Sequence, residues 1–308
     1  MNKLEYWIKR MNDIDLQDIL EEDELLEEIL EIYQMAYDDT EEAVRAFYHK
    51  YGDEHGLSYR QATRYLKMDE RAKCRDRIKR LERLKESLGD NPFNEERKRR
   101  IQREIQLLKN RGTLTREHLL FDEINEKWTK ATLKVDKKLG KFLEDTAKRE
   151  QKHIGKKLGI AAIALLSVRE IQKAILKPTF GGNYSDRIWT HKDRVNNLIM
   201  VEIKKGIERG TNIRKTIKTV QEKFNMTKYE ATRLVRTENC TIRTEAALEA
   251  YKVSEVKEVI IITAGDKKVC VDCRDHEGHV VPLNEARVGD TVPPFHAYCR
   301  CCVAPYIE

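Results

Sequence analysis

Glycine and proline are scarce in this sequence, at 14 and 6 of 308 residues. A compact enzyme of this length usually carries more glycine, because active-site loops adopt backbone angles that other residues avoid. Charged residues make up 36% of the chain, and hydrophobic residues, at 40%, are numerous enough to form ordinary cores. This composition favours long helices. We therefore expect a mainly α protein.

A long hydrophobic segment is also missing. The longest apolar run, from Leu158 to Val168, spans eleven residues, whereas a membrane-spanning helix needs about 20. The run predicts a buried helix, and we expect no membrane partner. The first thirteen residues lack the apolar stretch of a signal peptide, and seven cysteines, an odd number, suit a reducing compartment. We therefore expect the chain to be soluble and made in the cytoplasm.

The usual catalytic motifs are absent from the sequence. It contains no glycine-rich phosphate-binding loop, no Gly-x-Ser-x-Gly elbow and no His-Glu-x-x-His pair. No His-x-Glu precedes Cys270, as the zinc deaminases would require. We therefore expect a protein that is not an enzyme.

The charges are strongly segregated along the chain. Residues 1–31 carry eleven acidic groups against three basic ones, and residues 71–111 carry fifteen Lys or Arg against seven Asp or Glu. A basic segment of this kind suits nucleic acid or an acidic protein surface. The alternative is a solvated helical face, because the basic residues alternate with Glu at i,i+4 spacing. If DNA binds there, charge reversal over residues 97–103 should weaken its retention.

Residues 1–114 are predicted to form a helical N-terminal region, elongated, with an acidic start and a basic helical hairpin. A helix start is expected at Asp38–Glu42, and Ser58 is expected to cap another helix. The hairpin covers residues 69–111, with a turn around Pro92 and a cap at Asn94. Its apolar seam is expected to contain Ile78, Leu81, Leu84, Ile101, Ile105, Leu107 and Leu108.

Two further regions complete the predicted organisation. Residues 115–180 form a helical connector with breaks at its glycines, and residues 181–308 form a domain that ends in a small α+β module at 264–304. Ser185 or Asp186 is expected to cap the first helix of that domain. The β-branched run ending at Ile262 predicts a strand. The other predicted helices cover residues 187–209, 211–224 and 227–251.

Cysteine and histidine crowd into this module in two close groups. Cys270 and Cys273 form a Cys-x-x-Cys pair, and twenty-two residues later comes His296, followed by Cys299, Cys301 and Cys302. Paired soft ligands on tight turns are typical of a tetrahedral zinc site. Such a metal would supply the folding energy of a segment too short to bury a core. Cys270 and Cys273 are the expected first pair, and His296, Cys299, Cys301 and Cys302 compete for two places.

A metal-dependent nuclease of the His-Asn-His kind is the alternative function. Asp275, His276 and His279 lie between the two ligand groups, where such a motif places its water-activating pair. The gap is short for the hairpin and helix of that motif, and it contains Pro282, Pro293 and Pro294. A closed structural metal is favoured.

The C-terminal 130 residues resemble the phage head morphogenesis family, the Mu F-like minor head proteins. The matching pieces occur in the family's order, with Ala297 where the family often has Pro and Ile262–Gly265 where it often has Trp. They are the Arg-Ile-Trp helix start within Gly182–Trp189, the segment Lys205–Gly210, the Arg-Thr-Glu helix within Ala231–Glu238, Asp266 ahead of Cys270 and Cys273, Gly278, Pro294, and the group His296, Cys299, Arg300 and Cys301.

The resemblance implies a minor capsid protein that joins the procapsid through the portal and is retained in the virion. It implies a place in the head interior and a part in DNA packaging or ejection, with scaffold or major capsid protein as further possible partners. The residues agree, because basic helices bind double-stranded DNA without reading its bases, and an acidic helix suits a basic portal surface. Arg236 of the Arg-Thr-Glu helix is expected to pair with Thr232 or with neighbours near Glu222.

Overall fold

The computed structural model describes residues 3–52, 57–111, 114–158 and 167–306. The described residues form long helices and one small antiparallel sheet, which confirms the predicted mainly α fold. None of the described helices is apolar over a stretch long enough to cross a bilayer. The elements are α1 (Lys3–Tyr51), α2 (Tyr59–Ala62), α3 (Met68–Glu86), α4 (Pro92–Lys109), α5 (Arg116–Lys157), α6 (Val168–Ile175), α7 (Tyr184–Glu208), α8 (Ile213–Val253), β1 (Glu258–Ile262), α9 (Val271–Asp275), β2 (Val280–Pro282) and β3 (Cys302–Tyr306).

The predicted helix start at Asp38–Glu42 is wrong, because α1 continues through it. Thr40 is fully buried, and its hydroxyl donates to the Ala36 carbonyl at 2.7 Å, as a threonine inside a helix does. The same oxygen accepts a hydrogen bond from the Trp128 indole at 3.1 Å. Thr40 therefore forms buried contacts inside α1 and does not cap a helix. The cap predicted at Ser58 is confirmed, since its side chain accepts from the Gln61 amide.

The predicted hairpin is confirmed as α3 and α4, with one shift at its turn. Asn91, and not Asn94, caps α4, because its side chain accepts the Asn94 amide at 2.8 Å and Pro92 occupies the first helical position. Leu107 is 69% exposed, so it lies outside the predicted seam. The seam contains Ile78, Leu81, Leu84, Leu88, Ile101, Ile105 and Leu108.

A buried ion pair joins this hairpin to α5. Arg97 donates through Nε to Oδ1 of Asp136 at 2.7 Å and through Nη2 to the Asp136 carbonyl at 3.0 Å. The other carboxylate oxygen, Oδ2, accepts the indole N–H of Trp189 at 2.9 Å. Asp136 has no exposed surface and Arg97 is 4% exposed. Arg97 therefore lies inside the fold and does not contribute to an outward basic surface of residues 97–103, in which Arg99 and Arg103 are exposed.

The long helices run through several predicted breaks. α5 passes through Gly140 and Gly155, and α8 is continuous across the predicted break between residues 224 and 227. Gly206 lets α7 approach α8, because a Cβ there would lie 2.5 Å from Thr216 Oγ1. Gly210 has a φ of +60° and follows the end of α7, as predicted. The apolar run was predicted to be a buried helix, and its residues 159–166 lie outside the part of the chain that the structure describes.

Another helix start is shifted slightly from its prediction. Asn183, and not Ser185 or Asp186, begins α7, because its side chain accepts the Asp186 amide at 3.0 Å. The Asp186 carboxylate in turn accepts a hydrogen bond from the Asn183 amide at 3.0 Å. This reciprocal pair is the usual form of a capping box.

The sheet has the order β2-β1-β3, and both of its pairings are antiparallel. β1 matches the predicted strand, while β2 and β3 were not predicted. One face of the sheet packs Val259 and Val303 against Tyr251 of α8. The other face holds Ile260, Ile262, Cys302 and Ala304.

The chain divides into two compact units that each combine separate stretches. The knuckle unit comprises Met1–Glu28, Lys137–Arg187 and Glu230–Glu308, and the hairpin unit comprises Ile29–Asp136 and Ile188–Tyr229. The sheet and the Cys/His cluster lie in the knuckle unit. The domain boundaries proposed from the sequence, at 114/115 and 180/181, stay predictions.

Replacing Asp136 with Asn should destabilise the hairpin unit strongly. The substitution keeps the shape of the side chain but leaves the buried Arg97 without a counter-charge, which typically costs about 3–5 kcal/mol. Urea unfolding monitored by Trp fluorescence measures the loss. Asp90→Asn is the matched control, because Asp90 is an exposed partner of Lys98, and its urea midpoint should stay at the wild-type value. Equal midpoints for the two variants would contradict the assignment.

Glu238 should make the stability of the knuckle unit depend on pH. Burial raises its pKa from its usual 4.5 to about 7, although the Arg187 guanidinium beside it acts in the opposite direction. The folded state therefore binds the proton more tightly than the unfolded chain, and the stabilisation from protonated Glu238 is complete below pH 4.5 and lost as the pH rises to about 7. The wild type should lose about 1–3 kcal/mol in this window relative to Glu238→Gln.

Chemical unfolding at pH 4.5, 6 and 8 measures this difference. Glu249→Gln is the control, since Glu249 lies on the same helix and contacts Lys252 near the surface. Its unfolding curves should follow the wild type at every pH. A Glu238→Gln variant that also followed the wild type would show that the buried carboxyl does not titrate in this window.

Candidate metal centre

Two tight turns present the predicted ligands. The first turn is the start of α9, where Cys270 acts as the cap and its sulfur accepts the Cys273 amide at 3.4 Å. In the second turn, the Cys299 amide donates to the His296 carbonyl at 3.2 Å, and Tyr298 adopts a left-handed φ of +64°. We call these the first and second knuckles. The Cys-x-x-Cys and His-x-x-Cys spacings therefore both fold as turns.

The knuckles bring five of the six candidate ligands into two groups that share one sulfur. His296 Nε2 lies 3.1 Å from Cys270 Sγ and 3.1 Å from Cys273 Sγ, which forms the first group. Cys273, Cys299 and Cys301 form the second group, all three buried, and Cys273 Sγ lies 3.8 Å from Cys299 Sγ. The potential ligand atoms of each group lie within 4.8 Å of one another. The groups found among the described residues do not include Cys302, which packs with Ile260 and Ile262 of β1.

These donors fit a tetrahedral metal of the size of zinc. Bond lengths of about 2.3 Å to sulfur and 2.0 Å to nitrogen place sulfurs about 3.8 Å apart, and sulfur and nitrogen about 3.5 Å apart, around one ion. The distances of 3.8 Å and 3.1 Å are close to these values. His296 Nδ1 donates to the Ala297 carbonyl at 2.7 Å, because a carbonyl can only accept. Its Nε2 lone pair therefore faces the two sulfurs, as in a histidine ligand.

Electrostatics favour negative charge on one sulfur of each knuckle. The Cys273 amide lowers the pKa of the Cys270 thiol. Hydrogen bonds from the thiols of Cys240 and Cys301 lower the pKa of Cys299, whereas burial raises that of Cys273 to about 12. Burial opposes a charge on His296, but the Ala297 carbonyl and the neighbouring sulfurs raise its pKa. A cation at the centre would compensate the accumulated charge.

An exposed ion pair joins the second knuckle to the turn before the first. Both terminal nitrogens of Arg300 donate to the carboxylate of Asp266 at 2.6 Å. This hydrogen bonding lowers the pKa of Asp266 to about 2. Because Arg300 stands between Cys299 and Cys301, the pair holds both cysteines near the first knuckle.

One turn of α8 supports the whole arrangement. Thr237 Oγ1 accepts the Tyr298 amide of the second knuckle at 3.3 Å. Glu238 forms a buried ion pair with Arg187 at the start of α7. Arg236 pairs with Glu22 of α1 at 3.2 Å, so the predicted pairing within α8 is wrong. The Arg-Thr-Glu sequence is therefore a structural junction inside the knuckle unit.

Cys240 is a neighbour of the cluster that the sequence did not reveal. Its sulfur lies 3.5 Å from the Cys301 carbonyl and hydrogen-bonds to Cys299. It stands beside a cavity of about 480 Å³ that also borders Cys299 and Cys301. No local pattern marks it, because it lies on a helix about 60 residues before the second knuckle.

The histidines of the nuclease alternative stand apart from the ligands. His276 packs its ring on Phe295, with ring centres 4.0 Å apart, and its Nδ1 lies 2.7 Å from the Asp272 carbonyl. His279 is exposed. Neither is a member of a potential metal-binding group among the described residues.

The comparison with known families gives one match. Residues 197–304, about a third of the chain, match the family described as Phage Mu protein F like protein. No curated protein and no solved structure gives a significant match. The matched range contains all of α8, most of the sheet and both knuckles, and so covers most of the pieces that carry the resemblance in the sequence. The C-terminal third of this chain is therefore similar to the Phage Mu protein F like family.

Proposed function

We propose that this chain is a minor head protein of a tailed phage that associates with the portal and remains in the virion. The observation that carries the proposal is the family match over residues 197–304, which suggests a role in phage head morphogenesis. The chain would be present in the host cytoplasm during assembly and then inside the head. Scaffold or major capsid protein would be further partners.

The proposed role is structural and not catalytic. The Cys/His cluster would hold one zinc ion through Cys270, Cys273, His296 and a further cysteine of the second knuckle. Four protein ligands leave no coordination position for water, which is typical of a structural site. The elements nearest the cluster are the five-residue helix α9 and short strands, so a metal would contribute much of the local stability. The positions of His276 and His279 give the nuclease alternative no support.

The acidic start of the chain offers a surface for the portal, although part of its charge is used internally. Glu21 pairs with Arg149 at 2.6 Å, and Glu28 pairs with Lys138 at 2.8 Å. Glu24 and Glu27 are exposed and form no ion pair with a described residue. They lie one turn apart on α1, so they would face a partner together. Complementary charge of this kind directs association more than it adds affinity.

Co-expression with the portal protein of the same phage tests this association. The wild type should elute with the portal in size exclusion at low salt, and the double substitution Glu24→Lys and Glu27→Lys should shift it toward the free position. Glu42→Lys with Glu86→Lys is the control, because it makes the same charge change at other exposed acidic positions. Separate elution of the wild type and the portal would oppose the proposal.

DNA contact is proposed for the outer face of α3. Arg71, Arg75, Lys79 and Arg83 are exposed, and none forms an ion pair with a described residue. They are spaced four residues apart, which places one cation on each successive turn, about 6 Å apart along the helix axis. Such a row neutralises phosphates without reaching base edges, so binding would be independent of sequence.

The salt dependence of DNA binding tests this surface. Each phosphate contact contributes about 0.9 to the slope of log affinity against log salt, so Arg75→Gln with Lys79→Gln should lower the slope by about 2. Fluorescence anisotropy with two unrelated duplexes measures the slope, and both duplexes should give the same result. Lys257→Gln with Lys267→Gln is the control, since both lysines are exposed in the C-terminal part of the chain. A lower slope in the control alone would place the DNA surface elsewhere.

A further inference from the structure

A short segment of the hairpin unit, residues 57–68, exposes aromatic and basic side chains together. It contains three basic residues and no acidic one, although 53 of the 308 residues of the chain are acidic. It also contains Tyr59 and Tyr65, and we therefore call it the tyrosine patch. The functions proposed above for the metal centre, α1 and α3 do not involve it.

Buried side chains and backbone hydrogen bonds fix the tyrosine patch in the fold. Three of its apolar side chains are at most 5% exposed, namely Leu57, Ala62 and Leu66. The Leu66 amide donates to the Leu114 carbonyl at 3.0 Å, and the Arg64 carbonyl accepts the Arg116 amide at 3.1 Å. The backbone of the patch is thus held against the start of α5, and its remaining side chains are directed outward.

The two tyrosine rings are exposed and unoccupied by other side chains. Tyr59 is 49% exposed and Tyr65 is 68% exposed, and neither has a ring contact or a side-chain hydrogen bond with a described residue. Helical and extended backbone rise by about 1.5 and 3.3 Å per residue, so the two Cα atoms are at most about 15 Å apart. A few nucleotides, spaced by at least about 3.4 Å, would reach both rings.

The cations of the patch lie between the tyrosines in sequence and directly after them. Arg60, Arg64 and Lys67 are exposed, and none forms an ion pair with a described residue. Lys67 immediately precedes α3, so this charge continues into the basic row of that helix. Unpaired cations without an acidic neighbour in the segment are complementary to a polyanion.

Exposed rings among such cations suit a nucleic acid whose bases are unpaired. Tyrosine stacks on any base, because every base has a π-face, while cations follow the phosphates. In a duplex these faces are already covered by the neighbouring base pairs. A protein interface usually has an apolar core, but the aliphatic residues nearest these rings, Leu57, Ala62 and Leu66, are turned inward.

We propose that the tyrosine patch binds single-stranded DNA. Unpaired bases stack on Tyr59 and Tyr65, and the phosphates contact Arg60, Arg64 and Lys67. The choice of DNA as the polymer rests on the function proposed above. The protein then separates two forms of DNA, since a duplex uses the cations of α3 alone and an unpaired strand also uses the rings.

Fluorescence anisotropy with two labelled strands of about 12 nucleotides tests the stacking. One strand is oligothymidine, and the other has the same phosphates but abasic sugars, so cations bind both alike. The wild type should bind oligothymidine at least about fivefold more tightly, the least that one stacked base contributes. Tyr59→Ala with Tyr65→Ala should bring this ratio to about 1. Tyr59→Phe with Tyr65→Phe should keep it, because phenylalanine retains the ring.

The cations of the patch are tested with the same two strands. Arg60→Gln with Arg64→Gln should weaken both strands equally and keep their ratio. Each phosphate contact of a single strand contributes about 0.7 to the slope of log affinity against log salt, so this variant should lower the slope by about 1.4.

Tyr229→Ala is the control, since Tyr229 is an exposed tyrosine on α8 in the same unit; its ratio should equal that of the wild type. A wild-type ratio near 1, or an unchanged ratio in the double alanine variant, would overturn the proposal. An unchanged ratio with loss of portal co-elution would make the patch a protein-docking surface and overturn it as well. A wild type that keeps the ratio but binds no duplex would support this inference and contradict only the DNA contact proposed for α3.

Discussion

A buried charge without a partner is among the least stable features that a protein can contain, and this chain has many charges and a modest apolar content. Its fold depends on pairing the charges that it buries. Asp136 has no exposed surface, yet it accepts hydrogen bonds from Arg97 of α4 and from Trp189 of α7. The carboxylate thus joins three helices of the hairpin unit. The seam of α3 and α4 supplies the apolar contacts, but this ion pair determines where the hairpin lies on α5.

In the knuckle unit, polar and charged side chains are likewise paired between elements, and these pairs lie around a single turn of α8. Arg236, Thr237 and Glu238 each contact a different segment, namely α1, the second knuckle and the start of α7. The second knuckle contains few apolar side chains of its own, so its place is set from outside by Thr237 and by the Asp266–Arg300 pair. The Arg-Thr-Glu sequence is thereby explained by its structural contacts alone. The proposed metal would complete a site that α8 already positions.

Local patterns in the sequence predicted the helices, the hairpin, β1 and the two ligand turns, because each depends on neighbouring residues. Apart from small shifts of two helix caps, the main errors arise from contacts between residues that are far apart in the sequence. Thr40 and the residues around it have the chemistry of a helix start, but Trp128, 88 residues away, holds Thr40 inside a helix. Arg236 and Glu22 are 214 residues apart, so no helical spacing could reveal their pairing. β3 was missed because Cys302 and Pro305 suggest a metal-binding loop more than a strand. Its strand conformation depends on pairing with β1, about 40 residues earlier in the chain.

The same pairing decides how much charge is left for partners. From the sequence alone, every cation of residues 71–111 is a potential DNA contact. In the structure, most cations of α4 contact other residues of the chain. Arg97 is buried, Arg100 contacts Glu96 and Trp189, and Lys98 contacts Asp90. On α3, one cation per turn remains outward because the opposite side of that helix provides the seam. The charge that is available to partners is therefore the charge that remains after the helices of this protein have paired their charged side chains with one another. Counting charge along the chain therefore overstates that surface on α4 and on α1.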